Sequence, residues 1–289
     1  MQQVTVVTDS SVGLPNAVMK QYDILFAPLQ IIFGDRGYLD RIGLTPADFY
    51  SLLEKSDRLP TTSAPKPQDF MEVYRQAAQR TKGVACICLT RQFSTMGLEA
   101  ARQAREQARE LLPDTQIEII DSRSAVGGMG LIVLAAVRAA KEGKSLPEVV
   151  AAAESVREKI NVIAVMDTLK YLAKGGRIGK AAYWAGSLLS IKPILEVSNI
   201  TGAVEPIERV RTKQKAVERL LEIVSERVKD RGRIHAIVDH GNVPLEAESL
   251  KQQVVSNFDC REVYISGVSP ACGVHLGPGV VGLSFYAEN

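Results

Sequence analysis

The chain has 289 residues, of which 46% are hydrophobic and 24% charged, enough for two ordinary globular domains without disulfide or metal staples. Lys and Arg total 35 against 33 Asp and Glu, and the resulting net charge of +2 leaves no overall basic footprint for nucleic acid or an anionic membrane. The longest apolar stretch, 125–137, is shorter than the roughly 20 residues a bilayer demands and is flanked by Arg123 and Arg138. A buried helix, no stable membrane insertion and a cytoplasmic location are therefore expected.

In chain order, Val4, Val6 and Val7 open with a strand rather than a positively charged leader. Apolar runs at 24–32, 84–89 and 117–120, rich in Ile and Val, predict three further buried strands. Helices are predicted between them: one capped by Thr45 with Pro46 at its first position, one over 68–80, one over 96–112. A βαβα order of this kind implies a mainly parallel sheet with helices on both faces. Two more helices follow, 124–141 with Gly143 as its C-terminal stop and 146–159. Strands at 162–166, 203–209, 233–239, 262–265 and 280–286, with helices at 212–229 and 245–256, form a second α/β layer. The expected organisation is a domain over residues 1–159 and a second over 160–289, divided near 158–161.

Within the first domain, Asp9-Ser10 and Asp121-Ser122 both fall where a strand ends, and ligands of parallel α/β sheets bind outside those ends. Two other hydroxyl clusters, Thr61-Thr62-Ser63 and Ser94-Thr95, are predicted on the same edge. Each cluster alone reads as a helix cap. Four on one edge point to a polar ligand head.

Several chemistries fail on spacing. Gly175-Gly176-Arg177-Ile178-Gly179-Lys180 lacks the loop length of a P-loop, and Gly127-Gly128-Met129-Gly130 is not a dinucleotide fingerprint. The latter glycines are expected to let a helix approach the sheet or a ligand chain, and its small residues to leave room for a tail. Cys86, Cys88, Cys260 and Cys272 show no metal-ligand spacing and are read as structural. A serine hydrolase needs a nucleophile on a strained turn; neither Ser94 nor Ser187 has flanking glycines two residues away, although triads are defined by geometry. Of the three histidines, His235 reads as having no chemical role and His240 is undecided. His275 stands in the glycine-rich segment Cys272-Gly273-Val274-His275-Leu276-Gly277-Pro278-Gly279, read as a turn able to bring an imidazole and backbone N–H groups to an anion.

Thr8-Asp9-Ser10-Ser11, Thr62-Ser63-Ala64-Pro65, Ser94 before a helix, and Val126-Gly127-Gly128 after Asp121-Ser122 recur in one known combination. With Leu169-Lys170-Tyr171-Leu172-Ala173-Lys174-Gly175-Gly176-Arg177-Ile178, Lys192-Pro193-Ile194-Leu195, Arg211-Thr212 and the His275 segment, the whole chain resembles the DegV family of lipid-binding proteins. The resemblance implies a two-domain fold, a Rossmann-like parallel sheet followed by an α/β domain with a mixed or antiparallel sheet. It implies one long-chain fatty acid as ligand, no other cofactor and no metal, with the acyl chain buried between the domains. The carboxylate would be held by Thr62 or Ser63, Ser94, Thr95 and His275. Asp9, Ser10, Asp121, Ser122, Gly277 and Gly279 would shape the supporting loops. Some relatives of this kind are the fatty-acid-binding subunits of a fatty-acid kinase, so an ATP-dependent kinase subunit is the implied partner; apart from the resemblance, Arg177, Arg209 and Arg211 are read as a local basic patch that would dock it. The competing reading is an acyl-handling serine hydrolase or acyltransferase using Ser94 and His275. Two departures stand out: Ser94-Thr95-Met96-Gly97 replaces the frequent Ser-Gly-Thr-Tyr, and Arg41 follows Asp40 where glycine is frequent.

Overall fold

The computed structural model describes residues 3–184, 191–228 and 232–288. The 187 position weighed above as a nucleophile lies outside them. The first half of the chain runs β1 (Val4–Asp9), α1 (Asn16–Gln21), β2 (Leu25–Ala27), β3 (Gln30–Phe33), β4 (Arg36–Leu39), α2 (Pro46–Lys55), β5 (Thr61–Ser63), α3 (Pro67–Ala78), β6 (Gly83–Cys88), α4 (Thr95–Leu111), β7 (Gln116–Asp121), α5 (Val126–Lys141) and α6 (Leu146–Lys159). The second half runs β8 (Asn161–Val165), α7 (Lys170–Gly175), a 3-10 turn at Gly179–Trp184, β9 (Lys192–Val197), β10 (Val204–Val210), α8 (Lys213–Val228), β11 (Ile234–His240), α9 (Pro244–Asn257), β12 (Cys260–Gly267), α10 (Pro270–Leu276) and β13 (Val281–Ala287).

Strands β2-β1-β6-β7 form a fully parallel sheet. Every residue of β1 and β6 is buried, as expected of strands covered on both faces. The second sheet, β10-β9-β8-β13-β11-β12, is mixed: β11 and β12 are parallel and the other neighbours antiparallel. Local signals set the helix starts. Thr45 Oγ1 accepts the Asp48 N–H with Pro46 at the first position of α2, and Gly143 (φ +80°) follows the C-terminus of α5.

A third, three-stranded antiparallel sheet, β4-β3-β5, was not foreseen. The run 24–32, expected as one strand, is two strands in two sheets. Pro28, with no N–H to offer a ladder, separates β2 from β3. The small sheet has its own core, in which Leu29, Ile31, Phe49 and Leu53 meet Ala271 and Val274 of α10.

Helix α5 is buried nearly throughout, in line with its reading as a core helix, and no helix among the described residues is long and apolar enough to cross a membrane. Its glycines do not leave room for a ligand tail. A Cβ on Gly128 would lie 2.2 Å from Val162 Cγ2, and one on Gly130 2.7 Å from Gly13 O. The space is filled by protein, so these positions serve helix-to-sheet packing. Cys86 and Cys88 share a face of β6, buried, with sulfurs 3.7 Å apart.

Candidate functional site

Between the parallel and mixed sheets lies a cavity of about 760 Å³, within the range of small-ligand sites. Its floor is one transverse row of the mixed sheet. Leu195 of β9 pairs with Ala164 of β8, Ala164 with Gly282 of β13, and Gly282 with Asp239 of β11, and all four line the cavity. Met166, Val204, Val268 and Val280 extend the apolar wall, each buried. The opposite end is polar and open: Ser63, Thr95 and Met96 are exposed there, Met96 by 73%.

All five residues expected to hold a head group, Thr62, Ser63, Ser94, Thr95 and His275, line this cavity. Their hydroxyls are not equivalent. Thr62 Oγ1 lies 2.9 Å from His275 Nε2, joining β5 to α10. Ser63, one residue on and therefore on the other face of the strand, is exposed and donates to Ala64 O at 3.4 Å. Ser94 is the N-cap of α4 and its Oγ accepts the Gly97 N–H at 3.2 Å, which leaves its own hydrogen free to point elsewhere. Thr95 Oγ1 is already donated to Arg91 O at 2.9 Å.

His275 does not sit in a turn. It belongs to α10, whose start Ser269-Pro270 is an N-cap followed by proline at the first position; Ser269 Oγ accepts from Cys272 N–H. Gly273 and the glycines after Leu276 obscured that signal. Burial, and then the charge of Arg177, push the imidazole down to about 4, so it is neutral at pH 7. Its Nδ1 is buried without a partner. The Gly175-Gly176-Arg177 segment accounts for this. A Cβ on Gly175 would lie 2.3 Å from His275 Nδ1, and Gly176 closes α7 in the left-handed region at φ +66°. Only glycine lets the backbone come flat against the ring. Arg177 then donates to Gly175 O at 2.7 Å and Phe93 O at 3.3 Å, and lines the cavity.

Arg209 and Arg211 are outside the cavity lining. Arg209 lies over the Trp184 ring, 5.4 Å from its centroid, and both arginines are exposed. The supporting-loop residues are near the site without lining it. Asp9, its carboxyl pushed up by burial, accepts from Ser11 N–H, Ser11 Oγ–H and Leu89 N–H, and both Ser11 and Leu89 face the cavity. Ser10 Oγ donates to Asp40. Asp121 and Ser122 shape their own turn, accepting from Arg123 N–H and Ser124 N–H. Gly277 (φ +74°) abuts the Tyr171 ring and Gly279 (φ +84°) the Asp167 side chain.

The hydrolase reading finds no support in these contacts. His275 Nε2 faces Thr62, Gly175 rather than a carboxylate abuts Nδ1, and the Ser94 hydroxyl caps a helix. Among the described residues no group of three His, Cys, Asp or Glu side chains is placed to hold a metal ion. His240 Nδ1 accepts from Val243 N–H and does not line the cavity. His235 is stacked on Tyr286 and paired with Glu262 and Glu288, while Arg138 of α5 meets the other Glu262 oxygen at 2.6 Å, a structural network.

Sequence reasoning missed Asp239. It is buried in the cavity floor, accepts from Gly127 N–H at 3.1 Å and Ser284 Oγ–H at 3.0 Å, and burial pushes its carboxyl up to about 8. It caps α5 from the opposite sheet, where Ala125 offers no side chain. The signal was present: Asp239 stands one residue before the end of β11, much as Asp9 and Asp121 close β1 and β7.

Two α/β layers closed on a largely apolar cavity, with hydroxyls, a neutral imidazole and two arginines, Arg91 and Arg177, in its lining, can take a long apolar chain that ends in a hydrogen-bond acceptor. The chain belongs to the DegV family: the profile described as uncharacterised protein, DegV family, matches residues 3–288. A DegV domain-containing protein of Halalkalibacterium halodurans is 32% identical over 289 residues, 100% of both chains. Among solved structures, a fatty-acid-binding DegV family protein from Thermus thermophilus superposes with a TM-score of 0.91 at 30% identity, over 99% of each chain. DegV of Bacillus subtilis, a fatty acid binding protein, is also similar, with a TM-score of 0.87 at 28% identity over 100% of each chain.

Proposed function

We propose that this chain binds one long-chain fatty acid, its tail on the Leu195–Ala164–Gly282–Asp239 row and its carboxylate at the rim with Thr62, Ser94 and His275. The observation that carries the reading is the polarity of the cavity: a floor apolar but for the hydrogen-bonded Asp239 carboxyl, ending in a rim of donors, on a fold whose similar structures from Thermus thermophilus and Bacillus subtilis are described as binding fatty acids. Each CH₂ taken from water contributes about 0.8 kcal/mol. Hydroxyl donors and Arg177 offset the desolvation of the carboxylate. Protein purified from a bacterial host is expected to carry one acid of roughly 16 to 18 carbons, a length suited to a cavity of this class. Native mass spectrometry with chromatography of the extracted lipid checks this, and the absence of a stoichiometric acid would overturn it.

The chain then acts as a carrier that presents the carboxylate at the exposed rim to an ATP-dependent kinase subunit. Arg177 is committed to Phe93, Gly175 and the cavity, which leaves the exposed Arg209 and Arg211 for docking. Replacing both with Ala is expected to abolish acyl-phosphate formation in a reconstituted assay while the bound lipid is unchanged. Undiminished phosphorylation would remove the two arginines from the partner surface.

A further inference from the structure

We propose that Asp40 is the positioning residue for His275, acting through α10. The inference rests on the fatty-acid reading and extends it to a side chain that does not touch the cavity. Helix α10 has seven residues, fewer than two full turns. A helix that short does not hold itself in water, so its placement comes from its neighbours.

The three-stranded sheet grips it at both ends. Asp40, immediately after β4, accepts the Ala271 N–H through Oδ1 at 3.1 Å, in the first turn of α10. Thr62, on β5, meets His275 Nε2 in the last turn. The two grips are four helix positions apart, about 6 Å along the axis. Strand β3 pairs with both β4 and β5, so the ladder fixes their separation.

Asp40 is itself held on every side. It is completely buried, its Oδ2 accepts from Ser10 Oγ at 2.7 Å, and its N–H donates to Leu29 O at 2.9 Å. Ser10 Oγ in turn accepts the Leu29 N–H at 3.0 Å. The next residue, Arg41, takes φ +64°, a conformation natural to glycine, and is held there by bonds to the carbonyls of Ser10, Val12 and Leu14 and to Asn16 Oδ1. A continuous chain thus runs from the end of β1, through Ser10 and Asp40, to the backbone of α10 and the imidazole. The cavity floor belongs to the mixed sheet and takes no part in it. Loosening Asp40 therefore moves the head-group side of the site and spares the tail side.

The test compares palmitate with 1-hexadecanol, the same chain without a carboxylate, in a fluorescent-probe displacement assay. In Asp40→Ala, palmitate affinity is expected to fall about tenfold while hexadecanol stays within about twofold. Asp40→Asn, which keeps an oxygen for the Ala271 N–H, is expected to retain most of the preference. Leu195→Ala, in the floor, should weaken both ligands alike. Should Asp40→Ala not fold, Ser10→Ala removes the donor that orients the carboxyl and is expected to shift the preference in the same direction by less. Equal losses for both ligands, or an unchanged preference, would overturn the assignment. A wild-type protein that binds neither ligand, or does not distinguish them, would instead overturn the fatty-acid reading.

Discussion

Thr62→Val is expected to weaken fatty-acid binding about 10- to 150-fold, the equivalent of losing a hydrogen bond to a charged group at about 1.5–3 kcal/mol. The substitution keeps the shape of the side chain and removes its hydroxyl. The contact to His275 Nε2 at 2.9 Å disappears, and the ring, whose Nδ1 already lacks a partner, is left buried with both nitrogens unsatisfied. The carboxylate then loses the Thr62 hydroxyl, whose hydrogen is free for it when the neutral imidazole donates Nε2–H to Thr62 Oγ1. Thr95→Val is the matched control: that hydroxyl is exposed and donated to Arg91 O, so little change is expected. A displacement titration decides the matter, and wild-type affinity in Thr62→Val would remove this residue from the head-group site.

Stability against pH depends on two cavity residues with opposite signs. The Asp239 carboxyl is pushed up to about 8 from 3.8, chiefly by burial, with the Ser284 and Gly127 hydrogen bonds opposing. The folded chain keeps a proton that the unfolded chain releases, so this contribution is full below about 4 and lost as the pH rises through 8. His275, pushed down to about 4 from 6.5, works the other way, and its contribution is lost as the pH falls below about 6.5. The two offset each other in part between 4 and 6.5. Above 6.5 Asp239 acts without that opposition and removes up to about 2 kcal/mol by pH 8. Asp9 and Asp40, also raised by burial, share the sign of Asp239, so the variant is needed to isolate it. Asp239→Asn, whose amide accepts from Gly127 and donates to Ser284, is expected to remove this component and to exceed the wild type in stability at pH 8. Asp239→Ala leaves the Gly127 N–H and Ser284 hydroxyl without their acceptor and should cost about 1–3 kcal/mol at pH 6.5, and less at pH 8, because it too removes the titrating carboxyl. Urea midpoints at pH 6.5 and 8 measure this, and parallel losses in wild type and Asp239→Asn would show that Asp239 does not govern the alkaline limb.

Elements that depend on near neighbours in the chain were legible from residues alone. The Thr45-Pro46 start of α2, the continuous apolar β1 and β6, and the span of α6 rest on capping, periodicity and backbone chemistry within a few positions. Of the four hydroxyl clusters expected on one edge, Thr62-Ser63 and Ser94-Thr95 line the cavity and Asp9-Ser10 and Asp121-Ser122 do not, and Thr61–Ser63 is strand β5 of the third sheet rather than part of the parallel-sheet edge. Local signals misled where two of them overlapped. Pro28 sat inside an apolar run that was read as a single strand, and the glycines around His275 outweighed the Ser269-Pro270 helix start.

Contacts between distant residues were left to the tertiary structure. Thr62 and His275 are 213 positions apart, Ala271 and Asp40 231, Gly127 and Asp239 112. No periodicity or cap within the chain specifies such pairs. They arise because α5 and α10 are each driven by burial into a core that another sheet supplies, and the first-turn N–H groups brought there must find acceptors away from water. By itself, the sequence determined the seven longer helices among the described residues and most strands, and left α1, α7 and α10 unread. Only packing decided that His275 is a neutral imidazole held on an α-helix, that the α5 glycines close on protein rather than on a ligand tail, and that a buried acid lies in the cavity floor.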